Sequence, residues 1–218
     1  SVDWGAFIGR SRKITEQLNG GVGFLFKKNG VEHISGHAHI TSGNNGVTPC
    51  SVEVRKPTGD YYNGNGDDVL ETVTADRVLI ATGAKPRELP FAPCDSKTIL
   101  QSSHAMTLEE RPESLAIIGS GAIGMEFAYV YNAFGTKVTI IEMLDRILPL
   151  EDEDISKLAG RAFKKQGMDI HTGASVNAIE TNDNGATVTF TKGDKESTIE
   201  AQKVLVAIGV GPRCDGLF

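Results

Sequence analysis

The segment Gly119-Ser120-Gly121-Ala122-Ile123-Gly124 limits the possible folds of this chain more than any other stretch. It follows an apolar run, Ser114–Ile118, and opens a helical pattern, Ala122–Phe134. A Gly-x-Gly-x-x-Gly turn between a strand and a helix has a physical use. Gly119 makes the tight turn, Gly121 lets the backbone approach a pyrophosphate, and Gly124 lets the helix pack closely on the strand. The first helical N–H groups and the positive end of the helix dipole then face the phosphate. Glu142 ends the next apolar strand, Lys137–Ile141, close to the offset of about 20 residues at which an acid accepts hydrogen bonds from an adenosine ribose. A carboxylate there repels a 2′-phosphate, which favours NAD over NADP, with Arg146 the one nearby cation that pulls the other way. A glycine-rich helix start followed by an unrelated surface acid is the bland alternative. Strand, helix and acid in the right order weigh against it.

The periodicity around this loop is that of an α/β chain. Residues 6–18 carry apolar positions at helical spacing, and Asn19-Gly20-Gly21 reads as the end of that helix. From Val31 the period changes to two, predicting short strands over His33–Ile40, Ser51–Arg55 and Val69–Thr74. The polar, glycine-rich stretch Thr58–Asp68 reads as an exposed hairpin loop, and Arg77–Ala81 as a buried strand leading into Thr82-Gly83-Ala84. A Pro-rich linker, Lys85–Pro93, precedes the glycine loop and its strand. Beyond Glu142, the pattern predicts a helix over Asp152–Gln166 with an acidic first turn, and a strand over Met168–His171. Three alternating segments follow (Ser175–Thr181, Ala186–Thr191, Ser197–Ala201), then a buried strand over Lys203–Ile208.

Bulk properties exclude several classes. The chain has 218 residues, 39% hydrophobic and 23% charged, as ordinary globular proteins do. Its net charge of −6 argues against a nucleic-acid partner. No apolar stretch approaches the roughly 20 residues that span a bilayer, so no membrane association is expected. The start, Ser1-Val2-Asp3-Trp4-Gly5, lacks a secretory pattern. Cys50, Cys94 and Cys214 are sparse and distant, which suits reduced thiols in a reducing compartment. His33, His37 and His39 share strand parity, but no acid or cysteine accompanies them, and no metal site is expected.

Four stretches together carry a family resemblance. They are Gln17-Leu18-Asn19-Gly20-Gly21-Val22-Gly23-Phe24-Leu25-Phe26-Lys27-Lys28-Asn29, Val78-Leu79-Ile80-Ala81-Thr82-Gly83-Ala84, Leu115 through Glu126, and Val204-Leu205-Val206-Ala207-Ile208-Gly209. The chain resembles the dihydrolipoamide dehydrogenases, within the FAD-dependent pyridine nucleotide-disulfide oxidoreductases, and the first stretch is the most specific to that family. The resemblance implies a Rossmann-like NAD-binding domain with a β-meander insertion, preceded by a helix and antiparallel strands of a partial FAD domain. In residue numbers, 1–93 would be the FAD-domain segment, 94–209 the NAD-binding domain, and 210–218 the return towards the rest of the FAD domain. It further implies that Gly119, Ser120, Gly121, Ala122, Ile123, Gly124, Met125 and Glu126 form the NAD loop and early helix. Glu142 would hold the ribose, Val176 line the adenine pocket, and Gly209 approach the nicotinamide. Ala38, Thr82, Gly83 and Ala84 fall at FAD-contacting positions.

The same resemblance sets expectations about what this segment lacks. The family works in cell redox homeostasis, passing electrons among dihydrolipoyl groups, FAD, a redox-active Cys-x4-Cys centre and NAD. No cysteine pair here has that spacing. The family's FAD-binding glycine motif is expected before Ser1, and its His-Glu acid/base pair after Phe218. The chain is therefore expected to be a central fragment, with no catalytic residue of its own and no activity in isolation. FAD belongs to the full-length enzyme and is not expected to be held by this segment. The full-length enzyme would be a homodimer that meets lipoyl domains of 2-oxo acid dehydrogenase complexes, in the cytoplasm or, in a eukaryote, the mitochondrial matrix. Val210-Gly211-Pro212-Arg213 departs from the family's usual sequence, and the Tyr61–Asp68 loop looks longer than its usual turn. Alternatives are another flavin disulfide reductase, such as a mercuric reductase, or a non-catalytic NAD-binding module. A flavin-free NAD dehydrogenase is weaker, because no His–Asp pairing is evident for acid–base work.

Overall fold

The computed structural model describes residues 3–43, 46, 48–57 and 66–218. They divide into two compact units, Ser1–Lys13 with Pro86–Val210 and Ile14–Lys85 with Gly211–Phe218. Helix α1 (Trp4–Lys28) opens the chain and is capped by Asp3, whose carboxylate accepts the Ala6 N–H at 3.0 Å. It runs through Asn19-Gly20-Gly21, where the sequence predicted a stop. Glycine permits a left-handed turn but does not compel one, and Gly20 and Gly21 stay out of the positive-φ region. The helix ends at Asn29-Gly30 instead. There Gly30 has φ 65°, the Val31 N–H reaches the Phe26 carbonyl at 2.9 Å, and the Gly30 N–H reaches Lys27 at 3.3 Å. That is a Schellman closure, with Lys27 and Lys28 beside the negative helix end.

In the second unit, β1 (His37–Ser42), β2 (Cys50–Arg55) and β3 (Val69–Ala75) form an antiparallel sheet in that order. The first strand begins at His37, not at the predicted His33. Its partner runs out where Arg55 faces His37, and Lys56-Pro57 follows, with a proline that offers no N–H. His33 therefore does not share a strand face with His37 and His39, and its ring lies 5.9 Å from that of Phe26. The predicted buried strand Arg77–Ala81 is irregular and exposed, with Leu79 90% accessible. No strand among the described residues pairs with it, and an apolar run without ladder partners or covered faces has no reason to settle as a strand. Of the predicted Thr58–Asp68 loop, residues 58–65 lie outside the described residues.

The first unit holds the larger core. The chain crosses between units within α1, after Lys13, and again within β4 (Ala84–Pro86) and β13 (Val210–Pro212). Between them come β5 (Ile99–Leu100), α2 (Ser102–Ala105), β6 (Ser114–Ile118), α3 (Ala122–Ala133), β7 (Lys137–Glu142), α4 (Glu153–Lys165) and β8 (Asp169–Thr172). A meander of β9 (Ala174–Asn182), β10 (Gly185–Lys192) and β11 (Lys195–Ala201) then leads to β12 (Lys203–Val206). Strands β5-β12-β6-β7-β8 make a five-stranded, wholly parallel sheet, and the meander forms a separate antiparallel sheet. The architecture is thus Rossmann-like α/β with an inserted meander.

Alternation along the strands builds two cores. Leu115, Ile117, Val138, Ile140 and Leu205 face α3 (Met125, Ala128, Tyr131) and Trp4. Ala116, Ile118, Ile141, Val204 and Val206 face the meander through Ile179, Val188 and Phe190. A parallel sheet buried on both faces needs such continuous apolar strands, which is why their sequence lacks polar alternation. The edge strand β5 is set by Asp95, whose carboxylate accepts the N–H groups of Lys97, Thr98 and Ile99 at 2.7–2.8 Å. Burial alone pushes this carboxyl up; the three donors and the Lys203 ammonium outweigh it and hold it below its ordinary 3.8.

Two outcomes are expected. Gly20→Ala, helical and with open space around it, should raise stability by about 0.5–1 kcal/mol, whereas Gly30→Ala should lower it. Denaturant melts check both, and a loss at Gly20 would place a left-handed turn there. The depressed Asp95 carboxyl contributes stability above pH 3.8 and loses it as the pH falls through its folded-state value. Asp95→Ala should therefore melt earlier than the parent at neutral pH and converge with it in acid.

Candidate functional site

The parallel sheet has one place where the connections diverge. From β6 the chain proceeds through α3 to β7 and β8 on one side, while β12 joins on the other. Between the carboxyl ends of β6 and β12 lies the crevice where open α/β sheets receive ligands. The glycine loop sits there. The Gly119 N–H bonds the Ile141 carbonyl at 2.9 Å, and the Ala207 N–H bonds Ile118 at 2.8 Å, so the ends of β6, β7 and β12 are tied together.

Each loop glycine has a different constraint. Gly119 has φ 98°, and a Cβ there would sit 2.5 Å from the Ala207 carbonyl oxygen. A Cβ on Gly124 would clash with the Gly119 carbonyl oxygen. Both are structural demands of the turn. Gly121 is the N-cap of α3, has ordinary extended dihedrals, and has open space where a Cβ would go. Lacking a side chain, it leaves the first N–H groups of α3 without a side-chain cap. A helix end of this kind can accept an anion supplied from outside.

Glu142 closes the other side. It is only 6% exposed, and both carboxylate oxygens have partners. Oε2 accepts the Ser120 N–H at 2.7 Å and the Ser120 hydroxyl at 2.8 Å, and Oε1 accepts the Leu144 N–H at 2.8 Å. Ser120 is fully buried, and its carbonyl accepts the Leu148 N–H at 2.8 Å. Leu148 is one of two non-glycine residues with positive φ among the described residues, at 48°. Ser156 Oγ donates to the Leu148 carbonyl at 3.0 Å, which anchors the loop to α4.

The remaining candidates divide by location. Ala122 and Ile123 start α3 beside the loop, and Glu126 is exposed on the same helix. Met125 presents only its backbone to the loop, through a 3.0 Å bond to Gly121; its side chain is 3% exposed, in the core. Gly209 follows β12 and its carbonyl accepts the Arg87 N–H at 3.0 Å. Val176 on β9 is half-buried against the second core. Arg146 turns its guanidinium to the Pro149 carbonyl at 3.2 Å, while its buried Nε has no partner. In the second unit, Ala38 is an exposed residue of β1. Thr82 Oγ donates to the Arg213 carbonyl at 2.6 Å, Gly83 accepts the Arg213 N–H at 3.0 Å, and Ala84 begins β4. Sequence reasoning passed over Leu144, Leu148 and Arg87. All three contribute backbone N–H groups, which leave no mark in a side-chain pattern.

A test of the turn's geometry follows. Gly124→Ala drives a methyl group against backbone and should cost about 1–3 kcal/mol in a denaturant melt. Gly121→Ala meets no neighbouring atom and should cost less, about 0.5–1 kcal/mol, because alanine is a poorer N-cap than glycine.

The model of one protein family, described as pyridine nucleotide-disulphide oxidoreductase, matches residues 4–218. A dihydrolipoyl dehydrogenase of Bacillus subtilis (strain 168) is 39% identical over 217 residues, which take in 100% of this chain and 43% of that protein. One from Mycobacterium leprae (strain TN) is 38% identical, with 99% of this chain and 44% of that protein covered. Among solved structures, LpdA from Mycobacterium tuberculosis superposes with a TM-score of 0.86 at 27% identity, over 100% of this chain and 45% of its own. The HOCl-induced flavoprotein disulfide reductase RclA from Escherichia coli gives 0.77 at 25% identity, over 99% and 45%. The chain spans less than half the length of these relatives.

Proposed function

Since the chain belongs to the pyridine nucleotide-disulphide oxidoreductase family, we propose that it is the NAD(H)-binding central part of a dihydrolipoyl dehydrogenase. The observation that carries the reading is the pairing of an uncapped helix N-terminus at Gly121 with the buried carboxylate of Glu142 at a sheet switch point. These residues suit a dinucleotide. Backbone N–H groups of Ala122 and Ile123 would take the pyrophosphate, Glu142 an adenosine ribose hydroxyl, and Val176 the adenine face, with Gly209 and Glu126 towards the nicotinamide. Bound NAD supplies the ring that accepts or gives up hydride. This chain's part is to orient that ring and to reject a 2′-phosphate at Glu142.

The rest of the reading concerns the longer protein. There, dihydrolipoyl groups would be oxidised through a redox disulfide and FAD, with Ala38 and Thr82–Ala84 among the flavin contacts. The segment 94–209 is assigned to NAD, 1–93 and 210–218 to the FAD domain. Homodimerisation, lipoyl-domain partners and a cytoplasmic or mitochondrial-matrix location belong to that assignment. Cys50, Cys94 and Cys214 contain no Cys-x4-Cys pair, so the 218-residue chain is expected to be inactive alone. The likeness to RclA supports a second reading, part of a flavin disulfide reductase with another substrate.

Titration of the chain with NADH and NADPH tests the proposal. Binding of NADH with clear preference over NADPH is expected, without lipoamide turnover. Glu142→Arg should weaken NADH by about 10–100-fold, the worth of a lost hydrogen bond to a charged group, and relax discrimination against NADPH. Gly121→Val should abolish NADH binding and leave the fold largely intact, with a modest loss of about 1 kcal/mol at the N-cap in the melt. An unaltered preference in the first variant, or normal affinity in the second, would remove the site assignment. Co-purifying FAD with lipoamide turnover would show that the chain is an enzyme by itself.

A further inference from the structure

Resting on the NAD reading above, we propose that Ser120 is a positioning residue that sets cofactor choice by fixing which oxygen of Glu142 receives the ribose. An ionised carboxylate offers about four lone-pair sites on its two oxygens. Ser120 occupies both sites of Oε2, one with its N–H at 2.7 Å and one with its hydroxyl at 2.8 Å. Leu144 N–H occupies one site of Oε1 at 2.8 Å. A single acceptor site therefore remains, on Oε1, and it can take one hydroxyl donor. A phosphate has no proton to give there and meets a carboxylate that cannot turn away.

Ser120 is suited to this because it is itself held from both sides. Its carbonyl takes the Leu148 N–H, and the side chain has no exposure to solvent. The backbone on either side is fixed, by Gly119 through its close approach to Ala207 and by Gly121 as the cap of α3. Its buried hydroxyl is directed at Glu142 Oε2. Ser120 does not need to touch the nucleotide. It acts through the carboxylate: its loss frees one lone pair of Oε2, so the ribose hydroxyl is no longer confined to Oε1, while the Ser120 and Leu144 N–H groups still hold the two oxygens.

Ser120→Ala, Glu142→Gln and the double variant, each titrated with NADH and NADPH and melted in parallel, test this on the 218-residue chain. Ser120→Ala is expected to weaken NADH about threefold to tenfold while changing NADPH little, so the ratio of the two affinities falls. In the Glu142→Gln background the same substitution should add almost nothing. Ser120→Thr, which keeps a hydroxyl on the same carbon, should keep the parental ratio. Equal weakening of both cofactors, or the same loss with and without Glu142, would make Ser120 merely structural and overturn the proposal. A parent chain with NADH preference and an unchanged Ser120→Ala sinks this inference alone. A parent without NADH binding sinks the NAD reading and the inference together.

Discussion

Strand β6 is hydrogen-bonded on both sides, to β12 and to β7, and buried on both faces, by α3 and by the meander. Its five residues leave no freedom to slip, because a one-residue shift would exchange Leu115 and Ile117 with Ala116 and Ile118 between two cores of different shape. The glycine loop begins at the end of that strand, so its position is inherited from the sheet. Three strand ends are then locked together by the bonds from Gly119 to Ile141 and from Ala207 to Ile118. Glu142 is the last residue of β7, and it reaches Ser120 because the register of β6 on β7 places Ile118 beside Ile141.

A small number of close contacts turns this scaffold into a site. Gly119 and Gly124 permit the turn, Gly121 leaves the helix end bare, and Glu142 closes the opposite wall. The division is useful for engineering. Substitutions at Gly119 and Gly124 act on the turn itself, Gly121 has open space where a Cβ would go, and Glu142 holds the Ser120 and Leu144 donors together.

Much of the first unit was legible in the sequence. Buried parallel strands show as unbroken apolar runs, and β6 was read with its observed limits; α3 and α4 were read to within a residue at each end. The three meander strands appeared as alternation because one face packs on the sheet. The failures came where local signals compete. Asn19-Gly20 and Asn29-Gly30 look alike as helix stops, and only the bonds from Val31 to Phe26 and from Gly30 to Lys27 choose between them. Arg77–Ala81 is as apolar as a core strand, yet strand formation needs a neighbour that an isolated run cannot supply.

Composition, periodicity and the spacing of glycines with one acid determined that this chain is α/β and that it places a helix N-terminus beside a carboxylate. Those properties depend on residues near one another along the chain, and local steric rules suffice to read them. Tertiary structure alone decided that Ser120 and Leu144 share Glu142 between its two oxygens, that Leu148 closes over Ser120, and that Met125 turns into the core. These are backbone donors and buried orientations. They arise when separate strands are brought into register, and no pattern of side-chain types encodes them in advance.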